Sequence, residues 1–249
     1  MSEWHGYATW GVLVCAIPTL LYLLFVSAPY GRHARAGWGP MVGPRVGWIL
    51  MESPAVVAFA AVFAMGAHAR AVTPLVLLLA WQSHYIYRTF IFPFRLRGGR
   101  PMPLLIALSG LGFNVVNAYI NAAWVSSLGD YPASWLLDPR FVAGLAVFGA
   151  GLAVNHHADA VLLSLRKPGE SGYRIPQGGL YRWVSCPNYL GEMMEWLGWA
   201  VLTWSLPGLA FFAFTVANLL PRALAHHRWY RAQFPEYPTD RRAVLPGIL

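Results

Sequence analysis

The sequence predicts an all-α integral membrane protein with seven transmembrane helices, and two observations carry this prediction. First, the 249 residues are 57% hydrophobic and only 11% charged, with a mean hydropathy of +0.46. A soluble globular domain has about 25% charged residues, so this chain lacks the polar surface that such a domain needs. Second, seven apolar stretches approach the roughly 20 residues that a helical span requires, at about 6–28, 46–67, 71–93, 102–127, 140–165, 187–206 and 207–225.

These stretches follow one another without a polar domain between them. The first has no basic segment ahead of it and no cleavage-site pattern behind it, which favours a span over a signal peptide. The last two are separated only by WSLPG at 204–208, which predicts a tight turn. We therefore expect a single seven-span domain over residues 1–249.

The basic residues predict the orientation, because cytosolic loops of membrane proteins carry an excess of Lys and Arg. With the N-terminus outside and the C-terminus cytosolic, the outside segments hold only Arg70 and Arg140. The net charge of +8 then reflects membrane orientation and an anionic cofactor rather than nucleic acid. The inside segments hold fifteen of the 18 basic residues: Arg32, Arg35, Arg45, Arg95, Arg97, Arg100, Arg166, Lys167, Arg174, Arg182, Arg222, Arg228, Arg231, Arg241 and Arg242.

Polar side chains inside the predicted spans form a layer near the cytosolic side. At 1.5 Å per residue, Glu52 lies roughly 10 Å and Tyr85 roughly 13 Å from the cytosolic ends of spans two and three. Ionisable groups in membrane helices normally face a bundle interior or a cavity. The other members of the layer are Asn155 and Asp159 in span five, Asn188, Glu192 and Glu195 on one face of span six, and Arg222, His226 and Tyr230 at the end of span seven.

Simpler roles are open for single residues of this layer. Glu195 alone could be an inter-helix hydrogen-bonding partner. A helix-end cluster of His84, Tyr85 and Arg88 could snorkel to the interface. The three asparagines of span four, Asn114, Asn117 and Asn121, could bond neighbouring helices. The convergence of carboxylates in spans with basic loops on one side instead favours a cytosol-facing cavity that accepts a polyanionic ligand.

The chain resembles the steroid 5α-reductase family. The resemblance is most specific over residues 166–249, through LRKPGESGYRIPQGGLYRWVSCPNYLGEMMEWLGW and PRALAHHRWYRAQFPEYPTDRRAVLPGIL. Upstream, GWILMESP, HYIYRTFIFPFRLRGGRPMP and NHHADAVLLSLRKPGE follow in the same order, so that about the last 200 residues are covered. The first span is similar in placement only.

The resemblance implies an enzyme that uses NADPH to reduce the Δ4 double bond of a 3-oxo steroid. It implies that Glu52 and Tyr85 engage the 3-oxo group, with Trp48 and Met51 also on the substrate side. Met51 stands where the vertebrate enzymes have Gln, so an amide that would orient the substrate is missing. The positions matching NADPH contacts are Arg100, Asn155, Asp159, Arg166, Tyr173, Arg174, Asn188, Glu192, Arg222, His226 and Tyr230.

The chemistry suits these side chains. Hydride addition to the β-carbon of an enone places negative charge on the carbonyl oxygen, which a hydrogen-bond donor can stabilise. Tyr85 can donate, and Glu52 can donate if it is protonated in an apolar pocket. The α-carbon would then take a proton, most simply from solvent.

The sequence gives little support for disulfides, a metal site or a Rossmann fold. Cys15 and Cys186 form neither a disulfide framework nor a metal spacing, and the adjacent His156 and His157 point to different helix faces. The GLGFN stretch does not follow a strand, so no Rossmann fingerprint is predicted. We expect a steroid or related lipid enone as substrate, membrane lipids around the bundle, no metal, no nucleic acid and no obligate protein partner.

Three alternatives remain open. A membrane methyltransferase using S-adenosylmethionine has similar terminal helices, but usually carries Arg-His-Pro where this chain has Ser185-Cys186-Pro187. A Δ14 or Δ7 sterol reductase would be longer, and a transporter would show inverted halves. Because Lys167 is the single lysine, a GC-rich bacterial genome and a bacterial cytoplasmic membrane are predicted, with the endoplasmic reticulum as the eukaryotic equivalent.

Overall fold

The computed structural model describes residues 2–35, 37–96, 99–166, 170 and 172–249. It is mostly helical, in agreement with the predicted class. Arg97 and Lys167, which contribute to the predicted charge asymmetry, lie outside the described residues. The helices are α1 Ser2–Phe25, α2 Pro44–Ala64, α3 Val72–Ile86, α4 Phe92–Arg95, α5 Leu104–Ala123, α6 Pro139–Ser164, α7 Pro187–Thr203 and α8 Leu206–Gln233.

Within the part of the chain that the structure describes, five helical segments are long and apolar enough to cross a membrane. They are Glu3–Phe25, Pro44–Ala64, Leu104–Leu128, Pro139–Ser164 and Leu206–Gln233. The two remaining predicted spans correspond to α3 and α7, which have 15 and 17 residues. These five helices fit an integral membrane protein, whereas the count of seven spans stays a prediction.

The third predicted span is divided by a change of helix type. After α3, residues Tyr87–Ile91 form a π-helical turn, and α4 continues the same helical run to Arg95. A π-turn inside a helix is frequent at functional sites because it rotates the side chains that follow. A second π-turn, Trp124–Leu128, extends α5 in the same way.

Helices α6 and α7 approach each other backbone to backbone through glycines. A Cβ atom on Gly151 would lie 2.5 Å from the Glu195 amide nitrogen, and one on Gly191 would lie 2.5 Å from the Asn155 amide nitrogen. Small residues allow such close helix pairs in membrane proteins. This contact brings the polar residues that follow Gly151 on α6 level with those that flank Gly191 on α7.

An aromatic core holds the middle of the bundle. Trp81 of α3 stacks on Phe59 of α2 at a centroid distance of 4.4 Å and contacts Trp199 of α7 at 5.1 Å. Its indole nitrogen donates to the Ala55 carbonyl at 2.8 Å, so the ring is both buried and satisfied. This core fixes α2, α3 and α7 beside one another. It thereby also fixes the side chains of these helices that lie one helical turn away from the core.

Short pairings tie the loops to one end of the bundle. Strands β1, Met41–Val42, and β2, Met102–Pro103, pair antiparallel, with Met41 opposite Pro103. The C-terminal tail is anchored by a bridge between Val184 and Arg242. The loop before α2 and the segment before α7 also contact the last turns of α8, through hydrogen bonds of His33 to His226 and of Ser185 to His227.

Candidate active site

One cavity of about 910 Å³ runs through the bundle from its middle to the end where the loops meet. Its walls come from α2, α3, α5, α6, α7 and α8 and from the loop between α1 and α2. Twelve of the predicted site residues line it: Trp48, Met51, Glu52, Tyr85, Arg100, Asp159, Arg166, Tyr173, Asn188, Glu192, Arg222 and His226.

The inner end of the cavity carries Glu52 and Tyr85, which lie on different helices. Asn114 of α5 donates to the Met51 carbonyl oxygen at 2.9 Å and to the Glu52 carboxylate at 3.4 Å, so it holds this part of α2 in place. The Tyr85 ring is stacked on Trp196 at 5.4 Å and is only 4% exposed. Aromatic packing therefore fixes the position of the phenol at the cavity wall.

The walls around this pair are apolar. Phe113 stacks on Phe214 at 4.1 Å, and Phe211 also lines the cavity. The Met51 side chain lies over Gly110, where an added Cβ would collide with it. An apolar, flat ligand could occupy this end with its one polar group directed at Glu52 and Tyr85.

Arg88 occupies the middle of the cavity wall. Its guanidinium donates to the Asp159 carboxylate at 3.1 Å and lies 3.6 Å from the Glu192 carboxylate. It also lies over the ring of Trp48 at 4.8 Å, and the Trp48 indole donates to the Arg88 carbonyl at 3.0 Å. The interpretation of Arg88 as a snorkelling helix-end residue is therefore wrong, because it is buried between two carboxylates.

The outer end of the cavity is basic. Arg222 donates to the Tyr189 hydroxyl at 2.9 Å and lies 3.6 Å from the centre of the Tyr30 ring. Beside it, His226 is hydrogen-bonded to His33 at 2.9 Å and to Tyr189 at 3.2 Å. The contacts of Tyr30 and His33 hold the loop between α1 and α2 against α8.

His33 lies in that loop and is half-buried. Burial, together with the neighbouring guanidinium groups of Arg222, Arg32 and Arg35, lowers the pKa of His33 to about 4. His33 is therefore neutral near pH 7 and can share one hydrogen bond with His226 without adding charge.

A second cation, Arg32, is surrounded by aromatic rings at the same end. Its guanidinium lies 4.5 Å from the Tyr230 ring centre, 4.8 Å from that of Trp229 and 5.1 Å from that of Tyr173. It also donates to the Tyr230 hydroxyl at 3.2 Å. Cation–π contacts of this kind hold a guanidinium in place without neutralising it.

Three predicted cofactor residues lie beside the main cavity rather than on its wall. Tyr230 and Arg174 line an adjoining pocket of about 180 Å³, which shares Arg32, Asp159 and Arg166 with it. Asn155 is buried behind the wall and donates to the Asn188 carbonyl at 2.9 Å. Its Oδ1 has no hydrogen-bond partner among the described residues, so a contact between Asn155 and the cofactor stays a prediction.

The simpler roles considered for other polar residues are confirmed in part. Glu195 accepts a hydrogen bond from His84 at 2.6 Å, with both side chains buried, so it joins α7 to α3. Asn121 accepts from Trp199 and donates to Asn117, which links α5 to α7. Asn114 differs from these two asparagines, because it lines the cavity and contacts Glu52.

Sequence reasoning missed Arg88, Arg32, Tyr30 and Tyr189 as members of the site. For Arg88 a signal was present, because a lone arginine within an apolar span needs a buried partner. The loop YGRH at 30–33 carried only a basic composition, which does not show what it contacts. Across the described ranges, no group of three or more His, Cys, Asp or Glu side chains is arranged to hold a metal ion.

Comparison with known proteins identifies close relatives. The chain is 45% identical to the steroid 5-alpha-reductase DET2 of Gossypium hirsutum over 248 residues, which cover 97% of this chain and 96% of the relative. It is 41% identical to 3-oxo-5-alpha-steroid 4-dehydrogenase 1 of Bos taurus over 243 residues, 95% of both chains. The human protein of that name is 39% identical over 252 residues, 100% of this chain and 97% of the relative.

These relatives are plant and animal proteins, and they give no support to the predicted bacterial origin. A family model described as 3-oxo-5-alpha-steroid 4-dehydrogenase matches residues 100–249, which include the most specific part of the resemblance. The chain therefore belongs to the 3-oxo-5-alpha-steroid 4-dehydrogenase, or steroid 5α-reductase, family.

Proposed function

We propose that the protein is an NADPH-dependent reductase of the Δ4 double bond of 3-oxo-Δ4 steroids. The observation that carries this proposal is the cavity of about 910 Å³, which has an apolar inner end and a basic outer end. Its volume lies at the upper end of the roughly 300–1,000 Å³ of small-molecule sites, as expected if a cofactor and a substrate share it.

The outer end suits the phosphates of a dinucleotide. Arg32 and Arg222 each keep one buried guanidinium nitrogen, Nη1, without a hydrogen-bond partner among the described residues. A buried donor without a partner is costly, and an anion at this place would satisfy both. Arg100 and Arg166 line the same end and would add positive charge toward the 2′-phosphate.

The middle of the cavity suits the neutral parts of the cofactor. Asn188, Glu192 and Asp159 offer acceptors and an amide for sugar hydroxyls and the nicotinamide carboxamide. Arg88 holds the two carboxylates in fixed positions, so these acceptors are oriented before a ligand arrives. The residues present therefore fit NADPH, which when bound supplies the hydride for the β-carbon of the enone.

At the inner end, Tyr85 donates a hydrogen bond to the 3-oxo oxygen and stabilises the negative charge that develops there. Glu52, when protonated, is the second donor, and Asn114 keeps its carboxyl group in place. The phenylalanine walls exclude water, which strengthens both hydrogen bonds. The α-carbon takes a proton from solvent, and the product is the saturated 5α-reduced 3-oxo steroid.

The proposed topology has seven spans in a single domain over residues 1–249, with the cavity open to the cytosol. The five long apolar helices support membrane embedding, and the basic loops near the cavity mouth support a cytosolic C-terminus. A reporter fused after Leu249 should be active only in the cytosol. Activity restricted to the external compartment would reject this orientation.

Purified protein in detergent, with a panel of Δ4-3-oxo steroids, tests the function. We expect saturable NADPH oxidation that depends on the steroid, with a 5α-reduced product identified by mass spectrometry. Binding of S-adenosylmethionine with no nicotinamide oxidation would instead support the methyltransferase alternative.

A further inference from the structure

A second concave site lies on the outer side of the bundle, apart from the cavity. This groove measures about 430 Å³ and is bounded by one face of α6, by the 3-10 turn Gly179–Arg182 and by the first residue of α7. None of its lining residues lines the catalytic cavity. They are Ala153, Val154, His157, Ala158, Gly179, Leu180, Arg182, Trp183 and Pro187.

The groove exists because the chain folds back along α6. Gly178 and Gly179 have φ angles of +89° and +51°, which side-chain-bearing residues rarely adopt. A Cβ atom on Gly179 would collide with the His157 ring, so the backbone passes directly over this imidazole. The Tyr181 hydroxyl donates to the Ala158 carbonyl at 3.3 Å and holds the turn on the helix.

The groove extends from headgroup level into the apolar part of a bilayer. His157 lies roughly 10 Å and Ala153 roughly 16 Å from the last residue of α6, at 1.5 Å per residue. With 26 residues, α6 exceeds the roughly 20 residues that a span requires, so its end projects toward the headgroups. Ala153 and His157 are exposed on the outer face of the bundle.

Among the described residues that line the groove, one carries a permanent charge, Arg182. Arg182 is exposed and its guanidinium lies 5.5 Å from the ring centre of Trp183, which is 50% exposed. Exposed Trp side chains of membrane proteins lie preferentially at the membrane interface. A guanidinium binds phosphate with charge-assisted hydrogen bonds, whereas the alanine and valine wall deeper in the groove offers only apolar contact.

We infer that this groove binds one membrane phospholipid with a net negative headgroup. Its phosphate would bind Arg182, and one acyl chain would lie along Ala153 and Val154 toward the bilayer centre. This inference rests on the membrane embedding of the apolar helices and is independent of the proposed reaction.

The full-length protein in detergent tests this by native mass spectrometry, with added dioleoylphosphatidylglycerol or dioleoylphosphatidylcholine as probes. A basic residue near the headgroups contributes about 1 kcal/mol to the binding of anionic lipid, so we expect roughly fivefold tighter binding of phosphatidylglycerol. Arg182→Gln should remove this preference, and Ala153→Trp should weaken the binding of both lipids. Arg228→Gln, an exposed charge that lines neither site, is the matched control and should keep the preference.

Three results would overturn the inference. The first is equal phosphatidylglycerol binding by the parent and by Ala153→Trp, with an unchanged thermal midpoint showing that the variant is folded. The second is a dimer in light scattering that Ala153→Trp dissociates, because a second copy of the chain would then occupy the groove. Loss of the preference in Arg228→Gln as well would assign the effect to net charge and would also reject the site.

Discussion

The two ends of the cavity hold their polar groups by different means. At the inner end, Glu52 and Tyr85 project from helices, and aromatic packing with one amide contact fixes them. At the outer end, Arg32, Arg222 and His226 are held by hydrogen bonds and ring contacts that cross between a loop and α8. The inner end is thus set by the bundle itself, whereas the outer end depends on the loop being folded onto the bundle.

This difference matches the roles proposed for the two ends, which are charge stabilisation at the inner end and cofactor binding at the outer end. Charge stabilisation requires donors whose positions do not change as the reaction proceeds, and rigid helices supply them. A large polyanionic cofactor must enter and leave, and a binding surface that includes a loop permits that exchange. We therefore expect a variant at the junction of the two ends to affect both, and variants at one end to leave the other in place.

The largest effect is expected where the two ends join, at Arg88. Arg88→Met removes the positive charge and leaves the buried Asp159 and the partly buried Glu192 without their partner. Breaking a buried ion pair by removing one member costs about 3–5 kcal/mol. The free energy of unfolding in detergent should fall by this amount, with loss of NADPH binding.

Arg95→Met is the matched control for this prediction. Arg95 lies in the same helical run, but its contact with the Tyr87 hydroxyl at 2.8 Å is exposed. Such exposed contacts contribute little to stability. Equal destabilisation by the two variants would show that the carboxylates do not depend on Arg88.

The next largest effect is expected at the inner end, from Tyr85→Phe. Loss of one donor to a developing oxyanion lowers turnover by about 10²–10³, which is roughly 3–4 kcal/mol. NADPH should bind the variant as it binds the parent, because the outer end is unchanged. Turnover of the best enone steroid and fluorescence titration of NADPH measure the two quantities separately.

Glu52→Gln sharpens this test because it keeps the shape of the side chain. If both residues act on the same oxygen, the double variant should lose less than the product of the two single losses. Near-normal turnover of folded Tyr85→Phe would reject the oxyanion role.

A smaller, selective effect is expected at the outer end, from Arg166→Ala. Charged hydrogen bonds contribute about 1.5–3 kcal/mol, so the KM for NADPH should rise roughly 10- to 100-fold while that for NADH changes little. Steady-state kinetics with both cofactors provides the comparison. Parallel losses for both would show that Arg166 does not bind the 2′-phosphate.

Tyr189→Phe should have a weaker effect at the same end. The hydroxyl links Arg222 and His226, and a neutral hydrogen bond contributes about 0.5–1.5 kcal/mol. The KM for NADPH should rise about 2- to 10-fold with an unchanged kcat. A fall in kcat alone would contradict the separation of the two ends.

The smallest effect concerns pH and the loop at the outer end. Because the pKa of His33 is about 4 in the folded protein, the unfolded chain, with a pKa near 6.5, binds the extra proton between these values. Stability should therefore fall as the pH is lowered from about 6.5 toward 4. Thermal midpoints across this range measure the slope, which should be shallower in His33→Gln.

The exposed His68, in the loop between α2 and α3, provides the control. His68→Gln should leave the slope as in the parent. A slope unaffected by His33→Gln would show that the protonation of this loop histidine does not matter.

Much of the fold could be predicted from the sequence because the helices are long and apolar. The predicted spans and the observed helices share most of their residues, and Pro44, Pro139 and Pro187 begin helices as expected for the first turn. The last span was predicted to end at 225, yet α8 continues to Gln233. Hydropathy marks the membrane limit, whereas the helix ends where its backbone hydrogen bonds end.

The composition of the cavity could also be predicted, since ionisable groups in apolar helices need an interior to face. The sequence by itself therefore determined the class, the apolar helices and twelve of the residues that line the cavity. Only the tertiary structure decided that Arg88 pairs with Asp159 and Glu192. It also decided that Glu195 accepts a hydrogen bond from His84. The third such contact is that of Arg32 with the rings of Tyr173, Trp229 and Tyr230. Sequence periodicity fixes which face of a helix a residue is on, but pairing depends on how helices pack and loops fold back, which long-range contacts determine.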